Sequence, residues 1–448
     1  MKPITLLLLL LGCGSMLAQE HFAGINTSKR TGLLNAEMNP AELTNIDSME
    51  VHVFAVSANI TNNKIGFSDL VKSENFEDQI FLGNKPTSLR ADIDVLGPAF
   101  AMRAGKWVFA IATAGKTKSN IIDINTNLGR ALINGNDLET VETATAVLAN
   151  YNQKATATTW GEIGLSASRE IYNDGEHKFS GGVTFKFLFP GSYARMSSSK
   201  FKGTITANNG DIALTDASST INFAYSGSLA NNFNDAGNFA NYYGNGMHGF
   251  AADLGINYRW QETDDDDYKI NAGLSLRNMG SMTFKDGNNQ SNSYNITVPN
   301  GQYLNLEPFI GVNNIQKIED LLVQSGYAQI TKTNTDFKVK LPALFSLYAD
   351  FKVYNNWYVT GYTQQKLHQD YEEAQIAVQN IVTVTPRYSA KRYEIFAPLS
   401  GNEISGFAAG IGFRYGGFFI GSSSLITAAL NNSDTHQADA YAGFRFAF

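Results

Sequence analysis

Charged residues recur at alternate positions of segments whose other positions are apolar, and they are the first candidates for chemistry in this chain. They are Glu162, Asp253, Arg259, Lys269, Arg277, Asp350, Lys352, Arg414, Asp439 and Arg445. Side chains of a strand alternate between faces, so charges at period two share one face and leave the other apolar. A face carrying both signs can pair into salt-bridged ladders that brace an interior, or it can line a selective polar pore. Other candidates are weaker. The run Asp264 to Asp267 offers carboxylates to a hard cation such as calcium, but it lacks the Gly and Glu spacing of an ion loop and reads first as a solvated turn. His21, His52, His177, His248, His368 and His436 are scattered, without the paired spacing of metal ligands. No Ser/His or Asp/His constellation, Walker loop or dinucleotide fingerprint is legible. Neither enzyme activity, nor a cofactor, nor a bound metal is expected.

The chain opens Met1-Lys2-Pro3, runs from Ile4 to Leu11 almost without a polar atom, and passes through small and mixed residues to Gln19. A short charged start, about eight apolar residues and an Ala-containing exit describe a secretory signal peptide, too short to span a membrane. Cleavage is placed after Ala18, giving a leader of residues 1–18. Leu10-Leu11-Gly12-Cys13 also fits a lipoprotein cleavage box with Cys13 lipidated, although Gly14 to Ala18 reads as the rest of a leader. Cys13 is the only cysteine, so cleavage after Ala18 excludes disulfides, thiol nucleophiles and Cys-based zinc sites together. The formal charge is −7, which argues against nucleic acid as a partner.

After the leader no run of about 18 apolar residues follows, so no transmembrane helix is expected. What recurs is alternation. Phe250, Ala252, Leu254, Ile256, Tyr258 and Trp260 alternate with Gly249, Ala251, Asp253, Gly255, Asn257 and Arg259. Similar patterns run through Tyr268 to Arg277, Leu341 to Val353 and Gly406 to Tyr415. At the C-terminus, Phe444, Phe446 and Phe448 fall on one face with Ala438, Ala440 and Ala442, opposite Asp439, Tyr441 and Arg445. Strands are read at 49–60, 88–103, 106–116, 155–169, 177–193, 247–261, 267–283, 335–354, 356–367, 377–388, 390–398, 404–415, 417–427 and 437–448. About fourteen strands is an even number, as an antiparallel barrel with both termini at one rim requires.

The connections agree with that count. Arg103–Lys106, Ile171–Glu176, Glu262–Asp266, Tyr354–Asn356, Ser389 and Gly416 are short, alternating with long ones at 61–87, 117–154, 194–246 and 284–334 and with moderate ones at 368–376, 399–403 and 428–436. Within the long ones, Leu128 to Tyr151 has helical composition and Asn314 to Gly326 reads as a short helix. Lys200 to Ser226 reads as a projecting hairpin turning at Asn208-Asn209-Gly210. Residues 19–48 carry no alternating pattern and are too long for a tether; they read as a plug or hatch at the mouth or in the lumen. Gly97-Pro98 inside the second strand removes a ladder donor and relaxes the backbone, so a kink or bulge belongs there.

A strand that ends the chain on Phe448 with apolar residues outward resembles the closing strand of bacterial outer-membrane barrels, in which a terminal aromatic is the sorting signal read by the barrel assembly machinery. Asn39-Pro40-Ala41-Glu42-Leu43, just before the first strand, resembles the Asn-Pro-Ala motif of the hatch in the long-chain fatty-acid transporter (FadL-like) family. Leu341-Pro342-Ala343, opening a strand that ends in Tyr354-Asn355-Asn356-Trp357, is similar to a strand start and turn of the same family. The chain also looks like uncharacterised Gram-negative barrels known only as a domain of unknown function. The FadL resemblance implies a hatch in a fourteen-stranded barrel and lateral release of hydrophobic substrates through the wall, which would make Gly97-Pro98 a wall opening. The charged inner face departs from that pattern.

The sequence thus predicts an all-β transmembrane antiparallel barrel over 49–448 in the cell outer membrane, with lipid around it and a hatch over 19–48. The expected function is passive transport of a small hydrophobic or amphipathic ligand. The alternative is a non-transporting scaffold that docks an envelope or protein-secretion complex.

Overall fold

The computed structural model describes every residue except 1–20, 29–31, 73–78, 134–144, 209–210, 234, 245, 262–266, 286, 373 and 432. The leader, Cys13, most of the acidic run and the Asn209-Gly210 turn therefore lie outside the described residues. No described helix is long and apolar enough to cross a membrane.

Fourteen antiparallel staves close on themselves. The first stave, Met49–Asn62, pairs with Thr87–Ala104 on one side and with the C-terminal stave Gln437–Ala447 on the other, the latter from Glu50↔Ala447 to Thr61↔Gln437. Closure leaves no stave with an unpaired edge, which is the condition for a sheet to sit in hydrocarbon. Between them run Trp107–Ile124, Gln153–Asn173, His177–Asn208, Gly249–Gln261, Tyr268–Phe284, the pair Phe337–Lys340 and Leu344–Tyr354, Trp357–Lys366 and Ile381–Ser389. The last staves are Tyr393–Phe396 with Leu399–Asn402, Gly406–Ala409 with Ile411–Tyr415, and Phe418–Ser422.

Alternation decides which way each side chain points. Along Gly249–Gln261, Phe250, Leu254 and Ile256 are exposed while Gly249, Ala251, Asp253, Gly255 and Asn257 are buried. Exposed Phe54, Phe100, Phe109, Phe185, Leu347, Phe413 and Ile420 continue the apolar belt around the outside. At the short-turn rim the belt ends in aromatic residues: Trp107, Tyr172, Phe179, Tyr354, Trp357, Tyr415 and Phe448. Trp107 stacks on Phe109 at 5.9 Å, and Phe179 lies 4.7 Å from Tyr258. Two-residue turns there begin with Gly105 (φ 62), Asn355 (φ 44) and Gly416 (φ 58), the left-handed conformation that matches the twist of a hairpin.

Several expectations are corrected at the opposite rim. Trp107–Ile124 and His177–Asn208 run well past the expected strand ends. Above the belt a strand no longer needs an apolar outer face, so alternation stops marking it while the backbone ladder continues. Thr145–Ala149, the end of His177–Asn208, Asp211–Ser226, Gln290–Asn305 and Ala328–Asn334 pair into a sheet above the barrel. Its core includes Phe201, Ile205, Leu214, Phe223, Ile296 and Leu322. The helix Ile315–Gln324 falls where the sequence put it, capped by the Asn314 side chain accepting from Lys317 N at 2.9 Å. Leu128 to Tyr151 is not one helix: Thr126–Ile133 is helical and Thr145–Ala149 is a strand. The strand expected to reach residue 427 stops at Ser422, where Leu425–Leu430 turns helical.

The seam closes on the last residue, where Phe448 N donates to Met49 O at 2.9 Å. Deletion of Phe448 is expected to abolish assembly, read as loss of the heat-modifiable folded band in the membrane fraction. A normal folded band after the deletion would show that the terminal aromatic is dispensable.

Candidate functional site

The described residues between 21 and 46 pack against the inner face of the barrel, and Asn39-Pro40-Ala41 makes one of their contacts with the wall. Proline restricts the residue before it to extended geometry, and Asn39 adopts it (φ −151, ψ 112), while Pro40 opens the 3-10 turn Pro40–Asn45. The Asn39 side-chain oxygen accepts from Ala41 N at 3.0 Å, and its amide donates to Ile256 O at 2.9 Å and Tyr348 Oη at 3.2 Å. The wall is cut away to receive it. A Cβ on Gly255 would lie 1.8 Å from Asn39 Oδ1, one on Gly182 2.5 Å from Ala41 N, and one on Gly273 2.6 Å from Asn39 Nδ2. Gly182 and Gly255 are direct partners in the ladder, and Gly273 sits on the next stave.

Backbone carbonyls of the segment are held by wall hydroxyls: Ser275 Oγ donates to Met38 O at 2.7 Å and Ser168 Oγ to Pro40 O at 2.5 Å. The buried Glu42 carboxylate accepts from Asn257 at 3.0 Å, Asn271 at 2.9 Å, Asn45 at 2.6 Å and the Tyr348 hydroxyl. Such donors replace the water a buried carboxylate loses. Arg103 closes the short-turn end, donating to Ile46 O at 2.8 Å and pairing with Glu170 at 2.6 Å.

The interior charges pair in both signs. Lys186 joins Asp253 (2.8 Å) and Glu162 (3.6 Å). Asp350 takes Arg387, Tyr268 and Thr360; Glu394 takes Arg414 at 2.7 Å and Ser28 Oγ at 2.5 Å. Arg445 pairs with Glu50 at 2.6 Å, and the other Glu50 oxygen accepts from Leu33 N at 2.9 Å. Arg277 donates to Glu37 O at 3.1 Å and Gln364 Oε1 at 2.7 Å. Asp439 accepts from Ser423 N and Ser424 Oγ, both at 2.7 Å. Arg259 stacks 4.9 Å above Tyr268, and Lys352 lies 4.0 Å from Asp267 near the rim.

Lys269 departs from the expected set. The ladder shifts between Trp260↔Ile270 and Gln261↔Tyr268, so Tyr268 turns inward and Lys269 lies 5.2 Å over the Trp260 ring instead of facing the lumen. Arg387, Glu394, Glu50 and Lys186 were missing from the sequence reading, and Glu42 entered it only within the Asn39-Pro40-Ala41-Glu42-Leu43 motif. Thr383, Thr385, Arg387 and Ser389 alternate with Val382, Val384 and Pro386, so the same period-two signal was there for Arg387.

Beside the segment helix Leu33–Met38 the wall is incompletely zipped. On one side the register passes from His52↔Ala99 to Ala55↔Leu96 without pairing Val53 and Phe54 to Gly97 and Pro98. On the other, Leu96↔Ala114 is followed by Ala99↔Ala112, leaving Gly97 and Pro98 opposite Thr113 alone, which is a bulge. Thr113 Oγ1 donates to Pro98 O at 3.0 Å across it. Behind the bulge is a cavity of about 30 Å³ lined by Leu33, Ala36, Gly97, Ala99, Ala110, Ala112 and Thr113 among others. A second cavity of about 90 Å³, lined by Phe22, Leu34, Lys116, Lys118, Trp160 and Arg277 among others, shares the Leu34 and Leu96 walls.

The model of a family of unknown function, DUF5723, matches residues 47–423. The chain belongs to that family. No curated protein matches it. Solved structures similar to this DUF5723 barrel include the toluene transporter TodX of P. putida, with 9% identity over 97% of this chain and 99% of that one and a TM-score of 0.45. The toluene transporter TbuX of Ralstonia pickettii shows 11% identity over 92% and 93%, at a TM-score of 0.39. A Pseudomonas aeruginosa FadL homologue shows 9% identity over 97% and 98%, at 0.43. Identities this low say nothing of a shared ligand. The matched span holds the wall side of the Asn39 contact, including Gly182, Gly255, Gly273 and Tyr348, whereas Asn39 precedes it.

Because the cradle is fitted to Asn39 and Pro40, Gly255→Val is expected to expel the segment while the closed wall persists. In limited proteolysis of the folded protein, cleavage should appear within residues 32–48 of the variant and be absent from the parent. Asn39→Ala should cost about 1–3 kcal/mol of the segment's local stability through lost buried hydrogen bonds, read by amide exchange. Equal protection in variant and parent would mean that the contact does not hold the segment.

Proposed function

We propose that this protein is an outer-membrane channel for small hydrophobic or amphipathic ligands, with residues 21–48 as its hatch and the Gly97-Pro98 bulge as a side exit. The wall bulge, backed by a cavity with alanines and leucines on one flank and Glu37, Glu162, Lys186 and Asp253 also in its lining, carries this reading. A ladder that skips two residues on both sides leaves a place where backbone pairing does not have to be broken for a ligand to pass. The closed ladder, the apolar outer face and the aromatic rim support a place in the outer membrane, and a chain of this kind is passed through the barrel assembly machinery.

Both cavities are far smaller than a typical ligand site of about 300–1,000 Å³, so neither admits such a ligand as it stands. Opening requires the hatch to give way. The contacts along it differ: Asn39 to Asn45 is locked into glycines and a carboxylate hub, whereas Leu33 to Glu37 borders both cavities. The second reading, a scaffold that docks an envelope or secretion complex, is favoured by the sheet built above the barrel, whose end strand Ala328–Asn334 is largely exposed.

Two measurements separate these readings. Deleting residues 21–47 is expected to raise single-channel conductance in planar bilayers at least several-fold; unchanged conductance would mean that the segment is not a plug. Gly97→Val places a branched side chain where a Cβ alone would lie 2.5 Å from Thr113 Oγ1. It should reduce uptake of the hydrophobic dye N-phenylnaphthylamine several-fold in cells bearing normal amounts of folded barrel. Parental uptake would leave the scaffold reading in possession.

A further inference from the structure

His52 points into the cavity behind the wall bulge, yet it takes no part in the interior network described above. It is 98% buried, given a relative exposure of 2%, and neither ring nitrogen has a hydrogen-bond partner among the described residues. Its neighbours in register are Ala99 on one stave and Arg445 on the other, and the Arg445 guanidinium is committed to Glu50. Leu33, Ala36, Ala99 and Ala110 give the cavity an apolar flank, and Glu37, Glu162, Lys186 and Asp253 also line it. Buried polar side chains are nearly always satisfied, so an imidazole left with both nitrogens open calls for an explanation. A third irregularity falls at the same level, since the seam ladder shifts between His52 and Phe54.

We propose that His52 is the specificity-determining residue of the side exit, selecting neutral amphiphiles with one hydroxyl on an apolar body, such as phenols and simple alcohols. This rests on the channel reading. A neutral imidazole supplies one donor and one acceptor, so it can accept a hydroxyl proton and donate to a neighbouring oxygen, while alanine and leucine take the apolar body. A pure hydrocarbon leaves the imidazole unmet; a hydroxylated one of the same size satisfies it. The cavity of about 30 Å³ has room for water alone, so a ring enters only as the helix Leu33–Met38 moves off the wall.

The test uses p-cresol and toluene, which differ by one hydroxyl, on the purified full chain in detergent. With ¹⁵N-labelled histidine, the His52 ring signals are assigned by their loss in His52→Phe. They should move with p-cresol and stay in place with toluene. His52→Phe should weaken p-cresol binding about tenfold, the worth of one net hydrogen bond, and leave toluene unchanged, while His52→Gln restores most of the p-cresol affinity. His52 signals that stay fixed, or that move equally with both compounds, overturn the assignment even if both compounds bind. Partition of both compounds no better than into empty micelles defeats the channel reading itself.

Discussion

A hydrogen-bond ladder that closes on itself is the constraint to which the rest of this structure answers. Met49–Asn62 must find Gln437–Ala447 across almost the whole chain, and once it does, every stave has two neighbours. That closure removes sheet edges, and it is what allows phenylalanines and leucines to cover the outside without inviting another chain to pair. It also fixes the face of every residue: a single-residue slip would carry Asp350 or Arg414 outward among the apolar side chains and Phe413 inward.

The interior follows from the same alternation. Half of each stave faces a lumen too narrow to leave empty, and the chain fills it in two ways. Charges from different staves reach one another, as in the continuous run Asp350, Arg387, Glu394, Arg414. The N-terminal segment occupies what remains, and its polar backbone is received by serines, asparagines and glycines placed to suit it. The paired charges mainly avoid the penalty of burial, so they specify the position of the segment more than they stabilise it. At the Gly97-Pro98 level three adjacent ladders lose register together.

Much of the wall was legible because hydrocarbon outside and a polar lumen inside impose a strict period of two. The failures have the same origin. Beyond the apolar belt the period is no longer enforced, and the extended strands up to Ile124 and Asn208 went unread. At Lys269 a bulge reversed the facing, which no alternating pattern announces. The glycines of the cradle were visible as small residues on an inward face, but their purpose depends on a segment more than a hundred residues away in sequence meeting them in space. His52 looked like one scattered histidine because what marks it is the absence of a hydrogen-bond partner among the described residues, and partners are a property of the fold.

The central claim is that alternate residues of the wall touch hydrocarbon and lumen. Spin labels on single cysteines along residues 249–261, in a Cys13→Ser background reconstituted in lipid bilayers, test it most directly. Oxygen collision rates should peak at 250, 252, 254 and 256 and fall at 251, 253, 255 and 257, with a water-soluble nickel reagent excluded from the first set. Free access of the nickel reagent to positions 250, 254 and 256, or accessibility with no period of two, would contradict the account.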